Sequence, residues 1–333
     1  MALPASGNSI SLQQTNVELG LTATATINMG GSAVRGLFDI SSGAIDMSDG
    51  FGKSSETVVS SNVQQMTVSD YISAGGTLRI DSGVYIWSDS TGTAGMIIDI
   101  ACTIINEGFI IGKGGLGATG VSADNVANGN AGGAAISVTS SGVTITNASG
   151  AYIAGGGGGG AAASYYAQWE QGDDAYNAWR PSGGAGGGAG GGAGGKSGGA
   201  GGSVGVAGSN GSSTSGLGGG AGGGAGFGFN DRYPSTQSGA GGGRILPGAG
   251  GGTSGFTGGE GGAAGAAGTN GYFSGFEVAS GGGGGGWGAA GGNSSQGDTS
   301  GGTRKVGSGG AGGAAVAGTA RTLSNSGTIY GST

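Results

Sequence analysis

The chain has 333 residues, 94 of them glycine, with 9% charged residues, no histidine and a formal net charge of -7. Glycine at about four times its usual share argues against an ordinary soluble enzyme. Only 11 Lys plus Arg argue against nucleic acid as a partner, because that affinity rests on neutralising phosphates. A single cysteine, Cys102, excludes an intrachain disulfide and a multi-cysteine zinc site; no cofactor and no metal site is expected.

The glycines are unevenly spread, 23 before residue 150 and 71 from there on, so a boundary is expected near residue 150. Residues 1–11 lack the basic and apolar regions of a secretory signal, and no run of about 18 apolar residues occurs. Neither conventional export nor a membrane span is expected.

Residues 1–54 have ordinary composition: Leu3-Pro4, an alternation of Ile10, Leu12 and Gln14, a short helix predicted around Ser32 to Phe38, and a glycine-rich finish at Gly50 to Lys53. They read as a small docking module. The stretches Ile10-Ser11-Leu12, Val17-Glu18-Leu19-Gly20, Ala33-Val34-Arg35-Gly36-Leu37 and Ser42-Gly43-Ala44-Ile45-Asp46-Met47-Ser48-Asp49, ending Gly52-Lys53-Ser54, are similar to the N-terminal segment of many tailed-phage virion proteins at the tail tip. That resemblance implies a place in the virion and docking to other phage tail proteins through residues 1–54.

Residues 55–149 read as a β-rich stalk. Short strands are predicted at Thr57 to Val59, Gln65 to Val68, Thr77 to Ile80, Val84 to Trp87 and Met96 to Ile105, separated by Ser/Gly/Asp turns. Cys102, inside the last apolar run, reads as a buried strand residue. Three stretches share one theme: Asn106-Glu107-Gly108 leading to Ile110 and Gly112, Asn147-Ala148-Ser149-Gly150 leading to Ile153 and Gly155, and Asn325-Ser326-Gly327 leading to Ile329 and Gly331. A recurring turn, strand and glycine is what a stacked parallel coil needs, because each rung turns in the same place. The third copy is at the C-terminus. The last residues, 323–333, are therefore expected to return beside the earlier rungs, making the stretch between an excursion.

Within that excursion, glycine runs such as Gly155 to Ala163, Gly183 to Gly195, Gly281 to Gly292 and Gly309 to Gly318 alternate with segments of different character. Fifteen of the 21 aromatic residues lie at or after residue 150. Disorder is the plain reading of such composition. Collagen is excluded, because Gly186 to Ala193 places alanines at a period of four and breaks a Gly-X-Y register. Polyglycine II is the alternative: extended three-fold helices with no internal hydrogen bonds, which pair only with one another and need bare backbones to approach closely. Ten residues at about 3.1 Å each give runs of about 30 Å, suited to lying side by side.

Glycine runs alternating with aromatic inserts resemble the receptor-recognising adhesins at the tips of long tail fibres in T-even-like phages. The resemblance implies a polyglycine II bundle over residues 150–322 with receptor-binding loops at its end. Large aromatic side chains with polar neighbours suit such a tip, and the expected contacts are Tyr165, Tyr166, Trp169, Asp173, Asp174, Tyr176, Trp179, Phe229, Asp231, Arg232, Tyr233, Tyr272, Phe273 and Phe276. Trp287, inside a glycine run, reads instead as a cap on the lattice.

Other motifs carry less. Gly190 to Ser197 matches a P-loop by spacing, but no apolar strand precedes it and no helix follows. Nucleophilic catalysis lacks a histidine base. Glu170, Asp173 and Asp174 among Trp169, Tyr176 and Trp179 could serve a sugar-cleaving cleft, so a carboxylate-dependent depolymerase stays open, as does a purely structural tail-tip subunit. The expected fold is all-β and irregular: docking module, solenoid-like stalk and polyglycine II bundle. The resemblance implies a receptor, protein or glycan, on the bacterial outer surface. Three chains are a possible state of the stalk, since short strands bury little alone.

Overall fold

A computed structural model of the chain describes residues 3–52, 55–118, 128–161, 163–171, 174–181, 227–230, 233–236, 262, 266–267, 279–280, 282–296 and 304–333. The N-terminal residues form a small module around Leu3, Val34, Leu37 and Phe38. Helix α1 (Leu12–Glu18) begins at a capping box, in which Gln14 N–H donates to the Ser11 hydroxyl and Ser11 N–H donates to Gln14 Oε1 at 2.8 Å. The alternation read at Ile10, Leu12 and Gln14 thus gives way to a helix. Helix α2 (Ser32–Phe38) coincides with the predicted one and stops at Asp39, whose left-handed backbone breaks the turn. Gly50 is bare because a Cβ there would run into the Phe38 ring. Ser55 ties the module to the start of the β region, donating its N–H to the Glu18 carboxylate and its hydroxyl to the Glu18 carbonyl.

From Glu56 the chain winds in circuits, each laying down strands on different sheets. The first has β1 (Glu56–Val59), β2 (Val63–Gln64) and β3 (Met66–Thr67); the second β4 (Thr77–Ile80), β5 (Tyr85–Trp87) and β6 (Met96–Ile98); the third β7 (Thr103–Asn106), β8 (Phe109–Ile111) and β9 (Ile136–Val138). The fourth opens with β10 (Val143–Asn147) and β11 (Tyr152–Ala154). A long excursion comes next, carrying β12 (Ala163–Gln171), β13 (Asp174–Pro181), β14 (Phe227–Asn230), β15 (Tyr233–Thr236), β16 (Ala279–Ser280), β17 (Ser295–Gln296) and β18 (Arg304–Val306). The circuit then closes with β19 (Val316–Ala317), and β20 (Arg321–Asn325) and β21 (Thr328–Tyr330) end the chain.

The circuits build three parallel, open sheets, ordered β1-β4-β7-β10-β20, β2-β5-β8-β11-β21 and β3-β6-β9-β19. Period-two burial, as in β10 with Val143, Ile145 and Asn147 inside, sends alternate residues into a shared core. In register these residues form columns: Leu78, Ile104, Ile145 and Leu323 on the first sheet; Ile86, Ile110, Ile153 and Ile329 on the second; Met66, Met96, Ile136 and Val316 on the third. Each fully buried member contributes about 1.5–3 kcal/mol. The columns are buried except at their last members on the first two sheets, Leu323 and Ile329, which are partly buried.

The run Met96 to Ile105, which reads as one strand, is two. Asp99 breaks it: the chain turns there and Asp99 accepts hydrogen bonds from Ser69, Oγ at 2.6 Å and N at 3.2 Å. Cys102 is buried immediately before β7, where burial pushes its thiol pKa up. The three Asn-turn-Gly units lie on top of one another. Asn106 Nδ2 donates to Asn147 Oδ1 and Asn147 Nδ2 to Asn325 Oδ1, each at 2.8 Å, and the two amides also donate to the carbonyls of Tyr152 on β11 and Thr328 on β21. A buried amide ladder of this kind satisfies the groups that the corner would otherwise leave orphaned.

Candidate functional site

The connections between the second and third sheets all leave at one corner and lengthen from circuit to circuit. Gln65 alone, with a left-handed backbone, links β2 to β3; 88–95 links β5 to β6, 112–135 links β8 to β9, and 155–315 links β11 to β19. The runs starting at Gly112 and Gly155 therefore begin as continuations of second-sheet strands, and those ending at Ala135 and Ala315 return into third-sheet strands.

Run 155–161 follows β11 and is wholly buried. Its backbone groups bond outward with a period of three. N–H groups of Gly156 and Gly159 donate to the carbonyls of Gly133 and Asn130, and those of Gly158 and Ala161 to Ala289 and Gly292. The carbonyls of Gly157 and Gly160 accept from Gly115 and Ala118; those of Gly156 and Gly159 accept from Gly313 and Gly310; those of Gly155, Gly158 and Ala161 accept from Gly288, Gly285 and Gly282. Separate stretches of chain thus surround the run, each reading every third residue.

Side chains are excluded in the same rhythm. A Cβ on Gly155 or Gly158 would overlap the carbonyl of Gly313 or Gly310; on Gly156 or Gly159, that of Lys113 or Leu116; on Gly157 or Gly160, that of Gly285 or Gly282. Alanine enters where room returns, as at Ala131, Ala290 and Ala311, which are exposed. Trp287 occupies the turn between the runs 282–286 and 289–292; it is 4% exposed and packs on Tyr152 and Tyr330 at ring separations of 6.2 and 5.6 Å. Behind it Tyr85, Phe109 and Tyr152 stack at 4.6 and 5.2 Å on the outer face of the second sheet. This aromatic column pins the excursion to the stalk.

At the end of the runs away from the stalk, β ladders take over. β12 starts at Ala163, just after run 155–161, and pairs antiparallel with β18, which leads into 307–315; those two runs are already hydrogen-bonded neighbours through Gly310 and Gly159. β16 and β17 extend the runs 282–286 and 291–294 in the same way, and β14 and β15 form a further antiparallel pair beside β16. Backbones that met as bare glycine keep their partners and become pleated strands once larger residues return.

The aromatic inserts expected as loops are hairpins where they are described. β12 and β13 pair from Ser164 with Pro181 to Gln171 with Asp174, placing Tyr165 opposite Arg180, Tyr166 opposite Trp179 and Trp169 opposite Tyr176. Phe229 and Tyr233 lie on β14 and β15, Phe229 opposite Pro234 and Tyr233 opposite Asn230. Asp173, Asp231, Arg232, Tyr272, Phe273 and Phe276 lie outside the described residues, as does Gly190 to Ser197. Glu170 and Asp174 occupy adjacent register rows, hence opposite faces of the hairpin. Among the described residues no group of three His, Cys, Asp or Glu could hold a metal ion, and no helix is long and apolar enough to cross a membrane.

Residues 51–226 match the family model for the phage tail fibre adhesin Gp38, more than half of the chain. The chain belongs to the phage tail fibre adhesin Gp38 family. It is a receptor-binding tail adhesin and a component of the virion. Among solved structures it is similar to a chain in the crystal structure of the gp37-gp38 adhesin tip complex of the bacteriophage S16 long tail fiber, at 19% sequence identity and a TM-score of 0.44, with 96% of each chain covered. No curated protein matches the chain.

The adhesin carries a second surface of interest in its N-terminal module. Leu12, Val17 and Leu21 are exposed on and after α1, beside a cleft lined by Leu3, Pro4, Ser9, Gln13 and Glu18. The sequence marks the start of this helix with Ser11 and Gln14, the two members of the capping box, a signal that the alternation of Ile10, Leu12 and Gln14 masks.

Proposed function

We propose that the adhesin works by display, with receptor contacts on the hairpins and loops that the glycine runs carry. In this reading residues 150–322 are a polyglycine II bundle, and the contacts are Tyr165, Tyr166, Trp169, Asp173, Asp174, Tyr176, Trp179, Phe229, Asp231, Arg232, Tyr233, Tyr272, Phe273 and Phe276. The observation that carries it is the joining of β12 and β18 to two neighbouring glycine runs, which mounts an aromatic hairpin on the end of a bare-backbone lattice. The three-residue period of hydrogen bonds along 155–161 supports the polyglycine II assignment, because that helix has three residues per turn and bonds only outward. Residues 55–149, with the return of 323–333, act as a solenoid stalk, supported by the in-register columns.

Residues 1–54 dock the adhesin to other tail proteins. The exposure of Leu12, Val17 and Leu21 supports this role, since large apolar side chains left at the surface are available to a partner. The adhesin performs no catalysis, and several weak copies on one virion would give avidity. The experiment is adsorption of the purified full-length protein to cells of a susceptible strain. Replacing residues 165–180 by a short Gly-Ser turn should abolish adsorption while leaving the melting temperature of the stalk unchanged; undiminished adsorption would refute the assignment of the contacts to this hairpin.

A further inference from the structure

The hairpin register has a consequence for the kind of receptor group it fits. Adjacent rows of a pleated sheet alternate between faces. One face of the β13-β12-β18 sheet therefore gathers four rows: Arg180, Tyr165 and Arg304; Ala178 and Ala167; Tyr176 and Trp169; Asp174 and Gln171. Two of the chain's 11 basic residues thus flank one tyrosine in a single row, in a protein of net charge -7. The opposite face has its own aromatic pair, Tyr166 and Trp179, but only Lys305 and Glu170 as charged members.

On this basis, and resting on the display reading above, we infer that the Arg180–Tyr165–Arg304 row and the Trp169–Tyr176 row together recognise an anionic saccharide of the bacterial surface, a pyranose bearing a phosphate or carboxylate. Rows on one face are about 6.8 Å apart, so the basic and aromatic rows lie about 13–14 Å apart with the alanine row between them. The middle row is alanine on both strands, Ala167 opposite Ala178. An aromatic pair supplies flat apolar area for the C–H face of a pyranose. Guanidinium forks supply paired donors that match a phosphate or carboxylate. A protein segment would also use an aromatic row, so the test separates the two targets.

The test uses labelled full-length adhesin and surface glycan extracted from a susceptible strain, presented native, dephosphorylated and carboxyl-reduced. Binding to native glycan should fall at least tenfold in the Arg180→Gln, Arg304→Gln double variant and recover in part in the corresponding double lysine variant, which keeps charge but loses the fork. One of the two chemical treatments should reproduce the loss and so identify the anion, and binding should weaken as salt is raised. Gln168→Ala, in a row of the other face and outside the proposed contacts, should leave glycan binding within twofold. The inference is overturned if native glycan does not bind, if both treated glycans bind as well as native, or if the glutamine double variant binds like the parent at an unchanged melting temperature. Cell adsorption separates this failure from failure of the display reading. Should Trp169→Ala abolish adsorption while glycan binding is absent and protease treatment of the cells removes adsorption, the hairpin is adhesive but its target is a protein. Should no hairpin variant alter adsorption, both fall.

Discussion

Alanine at Gly156 tests the lattice at its centre. A Cβ there meets the Lys113 carbonyl, a backbone atom that cannot rotate away. Overfilling a packed site costs about 1–3 kcal/mol. Relief by shifting the run would strain the bond from Gly156 N–H to Gly133 at 2.9 Å and that from Gly313 N–H to Gly156 at 2.7 Å, each worth about 1 kcal/mol net. Against this, alanine restricts the unfolded chain and returns about 0.4–1 kcal/mol. The expected net loss is about 2–4 kcal/mol. Thermal unfolding would read it, and amide exchange on peptides covering 150–161 would localise it to the lattice. Extending the series to each glycine from Gly155 to Gly160 sharpens the result, because all six face a carbonyl of a neighbouring run. A half-buried strand would give alternation instead, every second alanine tolerated. Two or more of the six variants within 0.5 kcal/mol of the parent by this assay, with exchange unchanged, would refute the close-packed arrangement.

Four further outcomes are expected. Asn147→Ala removes the acceptor of Asn106 and the donor to Asn325 and Thr328 inside the stalk; the loss should be about 2–4 kcal/mol, with limited proteolysis releasing the C-terminal strands first. Trp287→Ala vacates the buried site against Tyr152 and Tyr330 and should cost about 3–5 kcal/mol, with faster amide exchange across 282–292. Gly36→Ala adds a methyl where nothing stands within 4 Å, in the interior of α2, and should stabilise the N-terminal module by up to about 1 kcal/mol in a denaturant titration. The Ser69 hydroxyl holds the Asp99 carboxyl below its ordinary pKa; a depressed folded value gives stability that is present above the unfolded pKa of about 3.9 and lost as pH falls through the folded one. Melting temperature followed from pH 7 to pH 2 should therefore decline less steeply at the acid end in Asp99→Asn than in the parent.

How much the sequence reveals depends on whether the signal is local. Ser32 to Phe38 and Thr77 to Ile80 are legible because periodicity and turn residues bound them on both sides. The Asn units are legible because a corner that turns identically in successive circuits needs the same residues each time, and Asn106, Asn147 and Asn325 do stack. The Met96 to Ile105 run misleads because an apolar stretch has no marker of a corner except Asp99. The hairpin does have a signal of its own in the sequence, since Gly172-Asp173 is a dipeptide suited to a two-residue turn, and the pairing of β12 with β13 sets Trp169 against Tyr176. The column of Tyr85, Phe109 and Tyr152 has none, because its members come together only through the register of β5, β8 and β11.

The division of labour follows from where the connections leave. Because 88–95, 112–135 and 155–315 all depart from one corner, each new run starts beside its predecessor in a register fixed by the stalk: Gly112 N–H donates to Ala154, Gly115 to Gly157 and Ala118 to Gly160, continuing the pairing of β8 with β11. A bare-backbone lattice has no side-chain code of its own to choose among registers, since every glycine is equivalent to its neighbour three residues on. The stalk supplies that choice. Residues beyond the runs are then free of any part in specifying the core, so a hairpin such as β12–β13 can change its rows without disturbing the glycines beneath. On the display reading this is why aromatic and charged residues concentrate at the strand ends of the excursion and are almost absent from the described runs, where Lys113 is paired with Asp89 and Trp287 sits at a turn against Tyr152 and Tyr330.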